Sequence, residues 1–128
     1  MKLGLQIALG VFSLIPLFFA VTGIMTGAAS LMPEGDVPAA IDNQFRYLSA
    51  IYLLVPMVLW WTIPKIDERG LVLALVCAAV FLGGAARFLS YSTIGPGLDR
   101  QFAGMLIELS SPIFLIWQRL VARKAAAA

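Results

Sequence analysis

The strongest indication of the fold is the stretch Leu71-Val-Leu-Ala-Leu-Val-Cys-Ala-Ala-Val-Phe-Leu-Gly-Gly-Ala-Ala-Arg-Phe-Leu-Ser-Tyr91. It is apolar almost throughout and contains one charged residue, Arg87. An α-helix needs about 20 such residues to cross a hydrocarbon layer roughly 30 Å thick. The apolar residues are also continuous, whereas a membrane barrel strand would alternate. The stretch therefore predicts a membrane-spanning helix.

Three further apolar stretches cover about residues 3–25, 47–63 and 102–120. Hydrophobic residues make up 61% of the chain, and the mean hydropathy is +0.93. Because lipid cannot hydrogen-bond to an exposed backbone, helices are the expected spanning elements. We predict an all-α fold, a single four-helix transmembrane bundle over residues 1–128 in antiparallel up-down-up-down order. Residues 26–46 form an outer loop, in which Pro38 can open a short helix.

The distribution of charged residues predicts an orientation. Six basic residues fall on the side of both chain ends: Lys2, Lys65, Arg69, Arg119, Arg123 and Lys124. The opposite side has the acidic residues Glu34, Asp36, Asp42 and Asp99, and only two basic residues, Arg46 and Arg100. Since lysine and arginine favour cytoplasmic loops, we predict that the N and C termini are both cytoplasmic.

Composition makes several functional classes improbable. The chain has no histidine and one cysteine, Cys77, which we interpret as a small apolar packing residue. We therefore predict no metal site and no cofactor. No basic run alternates with aromatics, so we expect no nucleic-acid partner. No nucleophile stands beside a base, and a lone acid, Glu108, acting on a lipidic substrate is the remaining enzymatic alternative.

Charged residues inside the spans are the strongest functional signal. Arg87 falls in the outer third of span three, and Glu108 lies about 10 Å from the outer end of span four. An ionised side chain at the bilayer centre costs about 2.5–3.5 kcal/mol, so pairing is expected. We predict an inner pair, Arg87–Glu108, and an outer pair, Arg46–Asp42, at helical spacing. All four would meet in one layer near the outer face.

Polar neighbours at helical spacing extend this layer, and we take the combined set as candidate binding residues: Asp42, Arg46, Ser49, Arg87, Tyr91, Gln101, Glu108 and Ser111. A ligand site is one interpretation, because such sites combine apolar walls with a few polar groups. A structural ion-pair cluster that sets helix register is the other. Arg87 could alternatively extend toward outer headgroups.

Proline and glycine add local expectations. Pro16, Pro56 and Pro112 lie inside spans one, two and four, where each removes a hydrogen bond and predicts a kink. Gly83 and Gly84 in span three predict a close helix contact.

Three motifs together resemble a known family: Asp42-Asn-Gln-Phe-Arg46-Tyr47, Phe81-Leu-Gly-Gly-Ala-Ala-Arg87, and Glu108 followed by Pro112 and Trp117. The chain is similar, from span one to Arg119, to a bacterial family of four-span membrane proteins known as domain of unknown function 4345. The resemblance implies a compact helical bundle of the bacterial inner membrane. It does not point to any particular activity. A looser architectural likeness extends to DoxX-like and sterol-isomerase-like bundles, and architecture does not transfer function.

These observations favour a non-enzymatic membrane protein that binds a lipid or a hydrophobic amphiphile near its outer face. The alternative is an accessory or scaffold subunit that packs beside a partner membrane protein or a second copy of itself, with a purely structural charge cluster. A small transporter is less favoured, because the cytoplasmic halves of the spans are nearly free of ionisable groups.

Overall fold

The computed structural model describes all 128 residues, of which 84% are helical and none is in a strand. The α-helices are α1 (Lys2–Thr26), α2 (Ala39–Tyr52), α3 (Leu54–Thr62), α4 (Gly70–Thr93), α5 (Asp99–Ser110) and α6 (Pro112–Ala126). Short 3-10 helices cover Gly27–Leu31 and Ile63–Lys65. The predicted all-α class is confirmed.

Four helical segments are long and apolar enough to cross a membrane: Lys2–Leu31, Ala39–Lys65, Gly70–Thr93 and Asp99–Ala126. Only 22–28% of the most apolar window of each is buried within the protein. Large side chains such as Leu71, Leu82 and Ile113 are exposed instead. An apolar surface of this extent is unfavourable in water and suits contact with lipid. The four predicted spans are therefore present.

Span two starts earlier than predicted, and the connecting loop is correspondingly shorter. Helix α2 begins at Ala39 and not near Tyr47, because Pro38 precedes it with an extended backbone that turns the chain into the helix. Asp42 lies in the first turn, where a carboxylate is favoured by the helix dipole. The predicted loop 26–46 thus holds a 3-10 helix and the start of span two.

The three internal prolines differ in their effect. Pro112 begins α6 and has no N–H to donate to the Glu108 carbonyl. That carbonyl accepts the Ser111 N–H instead, at 3.2 Å. Near Pro56 the helix is interrupted at Leu53, whose N–H donates to the Ala50 carbonyl at 3.2 Å. Spans two and four are each divided into two helices in this way. Pro16 lies within the uninterrupted helix α1.

The chain divides into two compact units, of which one comprises Ala8–Trp61. Within it, the Trp60 indole N–H donates to the Ser13 hydroxyl at 2.8 Å. Near the other end of α1, Gly23 is buried, and a Cβ placed there would collide with the Ser49 hydroxyl. Early residues of α1 thus meet α3 and late residues meet α2, so the helices run antiparallel.

The other unit comprises Met1–Ile7 and Thr62–Ala128, in which α4 packs on α5 and α6. The buried Gln118 side chain donates to the Ile66 carbonyl at 3.0 Å. Ile66 lies in the turn before α4, and within α4 the Cys77 carbonyl accepts the Ser111 hydroxyl at 3.2 Å. The later residue of span four, Gln118, contacts the earlier residue Ile66, whereas the earlier residue Ser111 contacts the later residue Cys77. Span four and α4 are therefore antiparallel.

Candidate functional site

The Arg87–Glu108 pair joins α4 to α5. The Arg87 Nε donates to the Glu108 Oε2 at 3.0 Å, and this is the hydrogen bond that the structure gives the guanidinium. The Glu108 side chain is 13% exposed, whereas that of Arg87 is 45% exposed. The carboxylate therefore holds one edge of the guanidinium from the protein side, and the Nη1 and Nη2 groups stay available as donors.

Gly84 explains how the two helices come so close at this point. It lies one helical turn before Arg87 and is buried. A Cβ at Gly84 would lie 2.9 Å from the Glu108 Cβ and 3.1 Å from the Leu109 backbone nitrogen. The absence of a side chain thus allows α5 to approach α4, as small residues do in membrane helix packing.

A cavity of about 230 Å³ lies beside Arg87. Its lining residues come from the end of α4, the turn that follows, and the start of α5: Arg87, Ser90, Tyr91, Ile94, Gly95, Pro96, Gly97, Gln101, Phe102 and Met105. We call it the Arg87 cavity. It combines apolar walls with a few polar groups, the usual composition of a small-molecule site.

Two predicted residues contribute further donors to this cavity. Tyr91 packs on the Phe102 ring with centroids 5.7 Å apart, and its hydroxyl can donate and accept a hydrogen bond. Gln101 accepts the Leu98 N–H through Oε1 at 2.9 Å, which ties the start of α5. Its amide nitrogen remains a donor.

The Arg46–Asp42 pair also forms, and its contacts are directed at the end of α1. The Arg46 Nε donates to the Asp42 Oδ2 at 2.7 Å, and Nη1 donates to the carbonyls of Ile24 and Met25. The Asp42 Oδ1 accepts the Ala28 N–H at 2.9 Å. This pair therefore satisfies backbone groups that the helix end leaves unbonded, which is a structural role.

Gly27 allows α1 to end where Asp42 and Arg46 can bond to its last backbone groups. Its φ of +63° is a left-handed conformation that favours glycine, and it ends the α-helix. A Cβ at this position would also collide with the Asp42 Oδ1. The sequence signal for this role was available in the Gly27-Ala28-Ala29 step after span one.

The remaining predicted residues lie in packing contacts. Ser49 is buried against Gly23. Ser111 is buried, and its hydroxyl is bonded to the Cys77 carbonyl. Asp42 and Arg46 belong to one compact unit and Arg87 and Glu108 to the other. A common layer of all four charges therefore stays a prediction.

Sequence reasoning missed several lining residues, notably Ser90, Ile94 and Met105. The Gly95-Pro96-Gly97 turn marks their position, because such a turn brings the end of one helix beside the start of the next. No group of three or more histidine, cysteine or acidic side chains in the chain is placed to hold a metal ion.

Comparison with known proteins gives one match. No curated protein and no solved structure matches the chain. The matching family model has the description "Domain of unknown function (DUF4345)" and spans residues 4–118, which include both ion pairs and the Arg87 cavity. The chain therefore belongs to the DUF4345 family, as its motifs predicted.

Proposed function

We propose that this protein is a non-enzymatic, multi-pass protein of a bacterial inner membrane that binds a lipid or other amphiphile at the Arg87 cavity. The supporting observation is the geometry of Arg87. Its Nε is held by Glu108 at 3.0 Å, while its other two nitrogens stay available beside a cavity with apolar walls. A guanidinium held in this way is prepared to bind the oxygens of a polar head.

The size of the cavity indicates how such a molecule would sit. Its volume of about 230 Å³ is below the 300–1,000 Å³ or so typical of sites that enclose a whole drug-sized ligand. It can hold a polar head but not an acyl chain. Exposed side chains beside it, including Ile94 and Phe102, offer the apolar surface that a tail would need.

The orientation that we propose places both chain ends in the cytoplasm. Met1, Lys2, Lys124 and Ala125 line one shallow cavity, so the two ends lie on the same side of their unit. Lys2 also forms an ion pair with Asp67 in the turn before α4, with Nζ and Oδ1 2.9 Å apart. Basic residues concentrated at this end favour the cytoplasmic side.

The decisive experiment is native mass spectrometry of the protein released from membranes, comparing the parent with Arg87→Met. We expect the parent to retain bound lipid and the variant to lose it. Arg119→Met is the matched control, because Arg119 is an exposed arginine of α6 outside the cavity. Equal lipid retention in the parent and in Arg87→Met would contradict the proposal.

A second comparison separates a binding role from a structural one. If the double variant Arg87→Met/Glu108→Leu folds like the parent and loses the lipid, the pair serves binding. If each single change unfolds the protein and the double change restores folding, the pair is structural, since removing one partner leaves a buried charge unpaired.

A second candidate function is that of an accessory subunit. Ala78, Ala79 and Ala86 are small residues of α4 that are exposed, which is where another membrane helix could approach closely. The partner would be a different membrane protein or a second copy of this chain. The same spectra report stoichiometry, and a partner retained in fixed ratio would favour this function.

A further inference from the structure

We propose that the polar head bound in the Arg87 cavity is uncharged and rich in hydrogen-bond acceptors, such as the ester and hydroxyl oxygens of a neutral glycerolipid. This inference rests on the proposed function and assigns its ligand class. It depends on the charges and donors that surround the cavity.

The first step concerns net charge. Arg87 is the one charged residue among those that line the cavity, and Glu108 is paired with it from the protein side. Arginine is always protonated, so with an ionised Glu108 the pair has no net charge. An anionic head would place a second negative group on the other side of the guanidinium from Glu108. The site would then have a net negative charge.

The cost of that arrangement decides the ligand class. An anion on the free edge of the guanidinium would lie roughly 7 Å from the Glu108 carboxylate, and at an effective dielectric constant of about 20 their repulsion weakens binding on the order of fiftyfold, which offsets more than half of the attraction to the guanidinium. The anion must also lose much of its hydration. A neutral head avoids both costs and keeps its hydrogen bonds to Arg87.

The second step concerns hydrogen bonding. The side chains that line the cavity include several donors: the two Nη groups of Arg87, the Gln101 amide nitrogen, and the hydroxyls of Tyr91 and Ser90, which can also accept. The Gln101 oxygen already accepts the Leu98 N–H. A head that presents several oxygens and few donors matches this arrangement, because a donor that faces lipid without an acceptor is costly.

Glu108 is then the residue that determines specificity. It does not line the cavity, so it acts through Arg87 and is a positioning residue. Replacing its charge while keeping its shape should convert a neutral site into a positive one. The consequence is a change in which lipid is preferred, which loss of packing alone would not produce.

The experiment is a competition between diacylglycerol and phosphatidylglycerol with identical acyl chains, measured by native mass spectrometry. We expect the parent to prefer diacylglycerol and Glu108→Gln to shift the ratio toward phosphatidylglycerol by at least about tenfold. Glu68→Gln is the matched control, since Glu68 is an exposed carboxylate in the turn before α4. It should leave the ratio unchanged.

A second variant keeps the test decisive if Glu108→Gln folds poorly. Ser90 is exposed and lines the cavity, so Ser90→Lys adds a positive charge without disturbing the helix contact, and it should shift the ratio in the same direction. A parent that prefers phosphatidylglycerol, or a ratio that neither variant changes, would overturn the neutral-head assignment alone. Binding of neither lipid above the level of Arg87→Met would instead contradict the proposed function.

Discussion

Alanine at Gly84 should destabilise the protein, whereas alanine at the adjacent Gly83 should not. A Cβ at Gly84 would lie 2.9 Å from the Glu108 Cβ and 3.1 Å from both the side chain and the backbone nitrogen of Leu109. Apolar carbons normally pack at about 3.5–4.0 Å. A backbone atom cannot rotate away, so α5 must move. At Gly83 a Cβ would meet nothing within 4 Å.

The magnitude follows from two opposing terms. Overpacking a close contact costs about 1–3 kcal/mol. Replacing glycine by alanine inside a helix contributes about 0.5–1 kcal/mol of stability at either position. We therefore expect Gly84→Ala to lower the free energy of unfolding by about 1–2 kcal/mol and Gly83→Ala to raise it by up to about 1 kcal/mol.

Unfolding by SDS in mixed micelles, followed by far-ultraviolet circular dichroism, measures both values. The two variants differ by one methyl group at adjacent positions of one helix, so differences in helix propensity and expression largely cancel. Equal unfolding free energies for Gly83→Ala and Gly84→Ala would show that α4 and α5 are not in contact at Gly84. The account of the Arg87–Glu108 site would then fail as well.

Three further changes test other contacts. Ser111→Ala removes a buried interhelical hydrogen bond and should cost about 0.5–1.5 kcal/mol, whereas Ser110→Ala, on the exposed face, should be nearly neutral in the same unfolding assay. Gly27→Ala should cost about 1–3 kcal/mol because of its left-handed backbone and its blocked Cβ position, and Gly10→Ala, with open space around it, should not. The hydrogen bond from Lys2 lowers the pKa of Asp67. This ion pair therefore stabilises the fold fully above about pH 4, and the stabilisation is lost as the pH falls through the lowered pKa of Asp67. Asp67→Asn should therefore reduce the acid sensitivity of unfolding, and an unchanged pH profile would refute this role.

The pairing of Arg87 with Glu108 was predictable because a bilayer penalises a lone charge and because the two residues fall at similar depth in neighbouring spans. The division of span four at Pro112 was predictable from the missing proline N–H. A helix that begins after Pro38 was predictable from the proline, but its continuation into span two was not, since the apolar pattern begins only near Tyr47. Hydrophobicity locates the part of a helix in lipid and does not locate its polar extension.

The residue pattern alone predicts the all-helical class, the four apolar spans and the charged residues that need partners, because lipid requires internal hydrogen bonds and penalises unpaired charge. The contacts of each ion pair depend on the packing of the helices. Asp42 and Arg46 are directed at the backbone end of α1, whereas Arg87 keeps two nitrogens available beside a cavity. The physical reason is that side-chain directions and the close approach at Gly84 depend on how helices pack, which the spacing of residues along one helix does not specify.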